Sequence, residues 1–241
     1  MEQKVTISPL GDSAIRIEFG KEIDYGIHHK IKMLAKYMEE NKFHGFIECV
    51  LAYTSLTIFY DPPAIWRKYK KEEAVSPYEI VKSIIEKSLT VFENEDDASS
   101  RIITIPVCYG GELGPDLEEV ARYNHLTTNE VVHIHTSREY LVYMIGFCPG
   151  FPFLGGMSNR IATPRRPSPR LSIPKGSVGI AGMQTGVYPI STPGGWQLIG
   201  RTPLQLFLPE QTPPTLLQAG DCVKFHAISY EEYQAYREGE V

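Results

Sequence analysis

Long apolar runs are missing from this 241-residue chain: none approaches the ~18 residues that a membrane helix needs, and the N-terminal Met-Glu-Gln-Lys-Val-Thr-Ile-Ser lacks the apolar core of a signal peptide. No membrane association is expected, and the cytoplasm is the expected compartment. Cysteine is scarce. Cys49, Cys108, Cys148 and Cys222 stand far apart and form no CxxC or Cys/His pattern, so no metal site is expected and all four read as reduced thiols, mostly buried. Two disulfides are the alternative that an even count leaves open. A strong excess of either charge is also missing: 24 basic against 29 acidic side chains leave a net charge of −5, which argues against nucleic acid as a partner. The chain has no GxxxxGK[ST] phosphate cradle, and no lysine carries the flanking methionines of a biotin site.

What is present is the composition of a globular protein, 42% hydrophobic and 22% charged. Domains of ~100–200 residues favour two units over one in a chain of this length. Glu93-Asn-Glu-Asp-Asp-Ala-Ser-Ser100 packs four carboxylates and two serines together without a large apolar side chain, which places an acidic linker at 93–100 between domains at 1–92 and 101–241. In the first, residues 4–8 and 14–19 read as a strand hairpin, Ile15 and Ile17 alternating with Arg16 and Glu18. Ile23, Ile27, Ile31, Leu34 and Met38 share one face of a helix. Strands follow at about 45–53 and 55–60, and Ser76-Pro77-Tyr78-Glu79 opens a helix with a capping box, its buried stripe expected at Ile80, Ile84, Ile85 and Leu89. The order ββαββα predicts an α+β domain, ferredoxin-like or related. His28, His29 and His44 have no partner at ligand spacing and are expected to be solvent-exposed. The domain reads as a scaffold or a partner-contact surface.

The second domain opens with a strand at 101–107 and two short helices, the second capped by Thr127 and Glu130, before a buried strand at 139–145. From 145 to 215, 11 glycines and 12 prolines alternate with large apolar side chains such as Phe151, Ile180, Trp196 and Leu206. Short strands broken by Gly and Pro around such a core predict a mainly-β, closed or nearly closed barrel.

Five blocks in this stretch carry a resemblance: Tyr143-Met-Ile-Gly-Phe-Cys-Pro-Gly-Phe-Pro-Phe-Leu154, Pro164-Arg-Arg-Pro-Ser-Pro-Arg170, Ile173-Pro-Lys-Gly-Ser-Val-Gly-Ile-Ala-Gly182, Gln184-Thr-Gly-Val-Tyr-Pro189 and Thr192-Pro-Gly-Gly-Trp-Gln-Leu-Ile-Gly-Arg-Thr-Pro203. In this order they resemble the signature of the 5-oxoprolinase B-subunit family, also called allophanate hydrolase subunit 1. The resemblance implies a cyclophilin-like barrel behind a small α+β domain. It further implies a role beside the A and C subunits of 5-oxoprolinase in the ATP-dependent opening of 5-oxoproline to glutamate. The family is also similar to half of the carboxyltransferase region of urea carboxylase, and it includes an inhibitor of a sporulation sensor histidine kinase, which adds such a kinase as an expected partner. ATP, with Mg as its possible companion, would then bind a site shared with partner subunits, since no P-loop is present.

Residue chemistry supplies the candidate site. Arg160, Arg165, Arg166, Arg170 and Lys175 fall within 16 residues that contain no acid, on a segment that prolines hold extended. A guanidinium grips a carboxylate or phosphate through paired hydrogen bonds, so Arg166, Arg170 and Lys175 are candidates for an anionic substrate, with a solvated basic rim as the equal alternative. Gln184, Tyr188 and Arg201 carry planar polar groups beside glycines and prolines and complete the binding set, though Tyr188 reads equally as a core aromatic. By the resemblance, His135 stands at a family histidine and is the one catalytic candidate, as acid or base; a histidine ending a helix is its simpler account. Three function classes follow: an enzyme subunit inactive alone, a kinase-binding inhibitor, and, from the barrel type only, a prolyl isomerase.

Overall fold

The computed structural model describes residues 5–69, 76–91 and 101–239. The chain divides into two compact units, Met1–Ser99 and Ser100–Val241, and the acidic stretch expected as a linker at 93–100 lies outside the described residues. No described helix is long and apolar enough to cross a membrane.

In the first unit β1 (Thr6–Pro9) and β2 (Ala14–Glu18) form a hairpin, α1 (Tyr25–Glu40) follows, and β3 (Phe46–Leu51) pairs with β4 (Ser55–Tyr60). Two helices, α2 (Pro62–Tyr69) and α3 (Pro77–Ser88), complete it. The sheet runs β1-β2-β4-β3 with every pair antiparallel. It is an α+β unit, but the two hairpins meet antiparallel at β2 and β4, where a strict ferredoxin-like unit would set parallel strands at its centre. Asp24 caps α1 by accepting the Ile27 amide at 3.0 Å, so the helix begins after Ile23, which stays 57% exposed. The stripe that faces the core is therefore His28, Ile31, Leu34, Ala35 and Met38, and His28, expected at the surface, is only 2% exposed. The capping box at Ser76 and Glu79 forms as expected. The deepest positions of α3 are Val81, Ile85 and Ser88, while Ile80, Ile84 and Leu89 flank that line half-buried. The sequence patterns predict no helix at α2; Asp61 caps it by accepting the Ala64 amide, and Pro62 and Pro63 occupy its first turn, where no amide donor is needed.

The second unit contains β5 (Ile102–Tyr109), α4 (Leu117–Tyr123), α5 (Thr128–Thr136), β6 (Glu139–Ile145) and β7 (Pro152–Gly155), then β8 (Arg170–Ile173), β9 (Ser177–Ala181) and β10 (Gln184–Val187). It ends with β11 (Thr192–Gly194), β12 (Gln197–Arg201), β13 (Cys222–Ala227) and α6 (Tyr230–Glu238). Seven strands in the order β10-β9-β12-β5-β13-β6-β7 make one mixed sheet, parallel only between β5 and β13, and β8 with β11 forms a separate ribbon. The sheet curls until its edge strands β7 and β10 lie side by side, a nearly closed barrel. Ile105, Val107, Val142, Ile180, Ile199 and Phe225 fill it, and a smaller aromatic cluster of Phe151, Tyr188 and Trp196 sits at one end. All four cysteines are free thiols; only Cys108 is buried, and Cys49, Cys148 and Cys222 are partly exposed, against the expectation of mostly buried thiols.

Candidate functional site

The proline-rich segment carries its arginines to an acid that lies far away in sequence. Asp116, 4% exposed just ahead of α4, accepts hydrogen bonds from Arg166 at 2.9 Å and from both terminal nitrogens of Arg170 at 2.8 Å. The Leu198 amide of β12 adds a further bond to the same carboxylate at 2.7 Å. Next to this knot, the Arg166 amide donates to the Gly195 carbonyl and the Gln197 side chain donates to the Pro164 carbonyl. Two of the arginines expected to grip an anionic substrate thus hold an anion of their own chain.

Arg165 differs from both. Its guanidinium is exposed, forms no ion pair among the described residues, and stands over a pocket of about 250 Å³ whose other walls include Phe147, Phe151, Phe153, Tyr188 and Trp196. The turn from Gly146 to Phe151 shapes one side. Gly146 donates to the Phe151 carbonyl and Phe151 to the Cys148 carbonyl, and this closure holds Phe147 at φ +66°, a backbone region that costs a bulky residue energy. Phe147 is 65% exposed, so burial does not offset that strain. Phe151 packs edge-on against Phe147, Phe153, Tyr188 and Trp196, with ring centroids 5.2–5.6 Å apart. Gly194 leaves the cavity open: a Cβ there would stand 2.7 Å from the Tyr188 hydroxyl oxygen. Burial pushes the Tyr188 phenol up to about 12, so at neutral pH it is an O–H donor. Burial also raises the Cys148 thiol beside this cluster, which argues against a thiolate nucleophile there. The pocket thus offers ring-sized apolar walls, one guanidinium and one phenolic donor.

The remaining candidates scatter. Gln184 opens β10 opposite Ala181 and is half-buried. Arg201 lies in β12 between Cys108 of β5 and Ser177 of β9, with its buried Nε unpartnered. Lys175 is exposed in the turn between β8 and β9, where it lines a different cleft. His135, the catalytic candidate from sequence, is 0% exposed in the barrel core, and burial pulls its imidazole down to about 3. Both nitrogens are engaged, Nδ1 with the Tyr109 hydroxyl at 2.8 Å and Nε2 with Thr185 Oγ1 at 2.9 Å, and the ring stacks on Phe225. The Thr185 hydroxyl donates to the Gly179 carbonyl, so it must accept from Nε2–H, which leaves Nδ1 to accept from Tyr109. His135 is a neutral link in a closed chain of hydrogen bonds, out of reach of any substrate.

Sequence reasoning left Arg165, which lines this pocket, out of its candidate set, although it named the arginine cluster. A usable signal was the proline on either side of the Arg165-Arg166 pair: neighbours in an extended segment point to opposite sides, so one could reach Asp116 and the other the pocket. Among the described residues no group of three or more His, Cys, Asp or Glu side chains could hold a metal ion.

Comparison with known proteins accords with this architecture. Residues 5–217 match the family described as carboxyltransferase domain, subdomain C and D. The chain is 58% identical over 238 residues to the 5-oxoprolinase B subunit of Bacillus subtilis, covering 99% of each chain. It is 40% identical over 221 residues to the protein of the same name from Haemophilus influenzae, covering 92% of this chain and 97% of the other. The urea amidolyase of K. lactis shares the fold, with a TM-score of 0.74 at 23% identity over 98% of this chain and 16% of that one. With these likenesses running through both units, the chain belongs to the carboxyltransferase subdomain C and D family, among the 5-oxoprolinase B subunits.

Proposed function

We propose that this chain is the B subunit of an ATP-dependent 5-oxoprolinase, inactive alone and working in the cytoplasm with the A and C subunits, and that its aromatic pocket receives 5-oxoproline. The observation that carries the first part is the identity with a 5-oxoprolinase B subunit over 99% of both chains. The pocket supports the second by its chemistry. 5-Oxoproline is a small ring with one carboxylate and one amide carbonyl; the aromatic walls suit its faces, Arg165 its carboxylate, and the Tyr188 hydroxyl its carbonyl oxygen. Donation from Tyr188 draws electron density toward that oxygen and makes the carbonyl carbon more open to attack. ATP, with Mg, supplies the drive for opening an unstrained lactam from a site shared with the partner subunits. In this reading Arg166 and Arg170 support the pocket's rim through Asp116, while Lys175, Gln184 and Arg201 serve surfaces outside it.

The test is reconstitution of all three subunits with glutamate release as the readout. Arg165→Gln is expected to raise the KM for 5-oxoproline by roughly tenfold or more, the scale of a lost charge-assisted hydrogen bond, and Tyr188→Phe to lower kcat. Unchanged kinetics in both would remove the pocket assignment, and glutamate released without ATP consumption would remove the coupled reaction. A sensor histidine kinase as second partner rests on the sequence resemblance alone, and an autophosphorylation rate unaffected by the chain would eliminate it. Prolyl isomerisation rests on the barrel type alone, and a rate at background would eliminate that.

A further inference from the structure

Lys175 borders a second cleft, of about 390 Å³, on the same unit but with different walls. Four separate segments build it: the turn Lys175-Gly176 between β8 and β9, Pro189-Ile190 after β10, the stretch Thr202 to Phe207 after β12, and the face of α6 that bears Tyr233, Tyr236 and Arg237. Two cations stand at this cleft and no carboxylate lines it. Neither Lys175 nor Arg237 is in an ion pair among the described residues, and the acids of α6, Glu231, Glu232 and Glu238, do not contribute to its lining. Gly176 is fixed between its neighbours: at φ +81°, a Cβ on it would meet the Thr202 carbonyl oxygen at 2.4 Å and the Arg201 side chain at 3.3 Å. Arg201 therefore runs directly behind the cleft. Its buried Nε and the buried Oγ of Ser177, paired with it across the strands, have no hydrogen-bond partner. Positive charge is thus concentrated at a concave surface that no carboxylate lines among the described residues.

We infer that this cleft binds a phosphoryl-bearing anion, gripped by Lys175 and Arg237, with Tyr233, Tyr236 and Phe207 offering an apolar wall to whatever the phosphate is attached to. The charge count selects the ligand class. A phosphate monoester carries about −1.5 to −2 at neutral pH, and the two cations of this cleft match it, with the glutamate control separating it from a carboxylate. Inorganic phosphate and the terminal phosphate of a nucleotide share this chemistry, and the apolar wall favours the second.

The inference is tested on the full chain alone by calorimetric titration with inorganic phosphate, ADP and, as carboxylate control, glutamate. Saturable binding of phosphate or ADP, weakened roughly tenfold or more by Lys175→Gln and by Arg237→Gln and unaffected by Arg165→Gln, is the expected result. Tighter binding of ADP than of phosphate identifies a nucleotide as the source; equal binding identifies free phosphate. Absence of saturable binding by both, equal binding of glutamate, or affinity indifferent to both substitutions would overturn it. Circular dichroism of the two variants, exposed at both positions, guards against loss of fold. The result is independent of the 5-oxoproline reading, which the KM effect of Arg165→Gln decides.

Discussion

His135 makes folding sensitive to acid through one proton. The unfolded imidazole takes that proton near its ordinary 6.5, the folded one only near 3, because burial without a counter-charge penalises the cation. Between those values the unfolded chain binds the additional proton, so stability falls as pH drops through the window, by up to about 1.4 kcal/mol per pH unit, and is untouched above it. A His135→Gln variant keeps hydrogen-bonding capacity without the titration. Its denaturant midpoint is expected to be lower than that of the parent at about pH 7 but to fall less steeply toward about pH 5. Equal slopes for the two proteins would assign the acid sensitivity to other groups. The sequence motif showed a histidine at the end of a helix; that its ring enters the barrel depends on Tyr109 and Thr185, 26 and 50 residues away, which no local pattern displays.

Elements written in local code were legible, and elements written by distant partners were not. Ser76 with Glu79, and Thr127 with Glu130, announce their helices because side chain and amide lie three residues apart. The same code stands at Ser229 and Glu232 of α6, a helix that sequence reasoning did not predict. By contrast, Arg170 meets Asp116 across 54 residues, and that meeting ties the stretch from 164 to 170 to the start of α4. Removal of the shared carboxylate by Asp116→Ala leaves two guanidiniums and the Leu198 amide without their acceptor. The expected cost is about 3 kcal/mol in a denaturant-unfolding measurement, toward the lower end for a buried pair because the arginines are a quarter to a third exposed. The exposed i,i+3 pair of Glu119 and Arg122 provides the contrast, and Glu119→Ala is expected to shift stability by under about 1 kcal/mol. If the two substitutions cost the same, Asp116 is not an anchor. The same reasoning accounts for the displaced faces of α1 and α3. Periodicity shows that a stripe exists, but its rotation about the axis is set by the distant elements the helix packs against.

At the scale of the whole molecule, the core of each unit is assembled from its own residues. Ile15, Ile31, Leu34, Ile58 and Ile85 cluster in the first, and Ile105, Val142, Ile180 and Phe225 in the second. Each unit is therefore expected to unfold as its own cooperative transition, with fragments 1–92 and 101–241 reproducing the two denaturant midpoints of the full chain. One shared transition, with neither fragment folded, would mean the units depend on each other. The strand order of the barrel was not legible in the sequence. β13 belongs between β5 and β6, in the middle of the seven-stranded sheet, although it is the last strand in the chain. A ribosome delivers β5 through β12 before the piece that joins them. Until residue 227 has left the exit tunnel, β5 and β6 lack the strand that pairs with both of them.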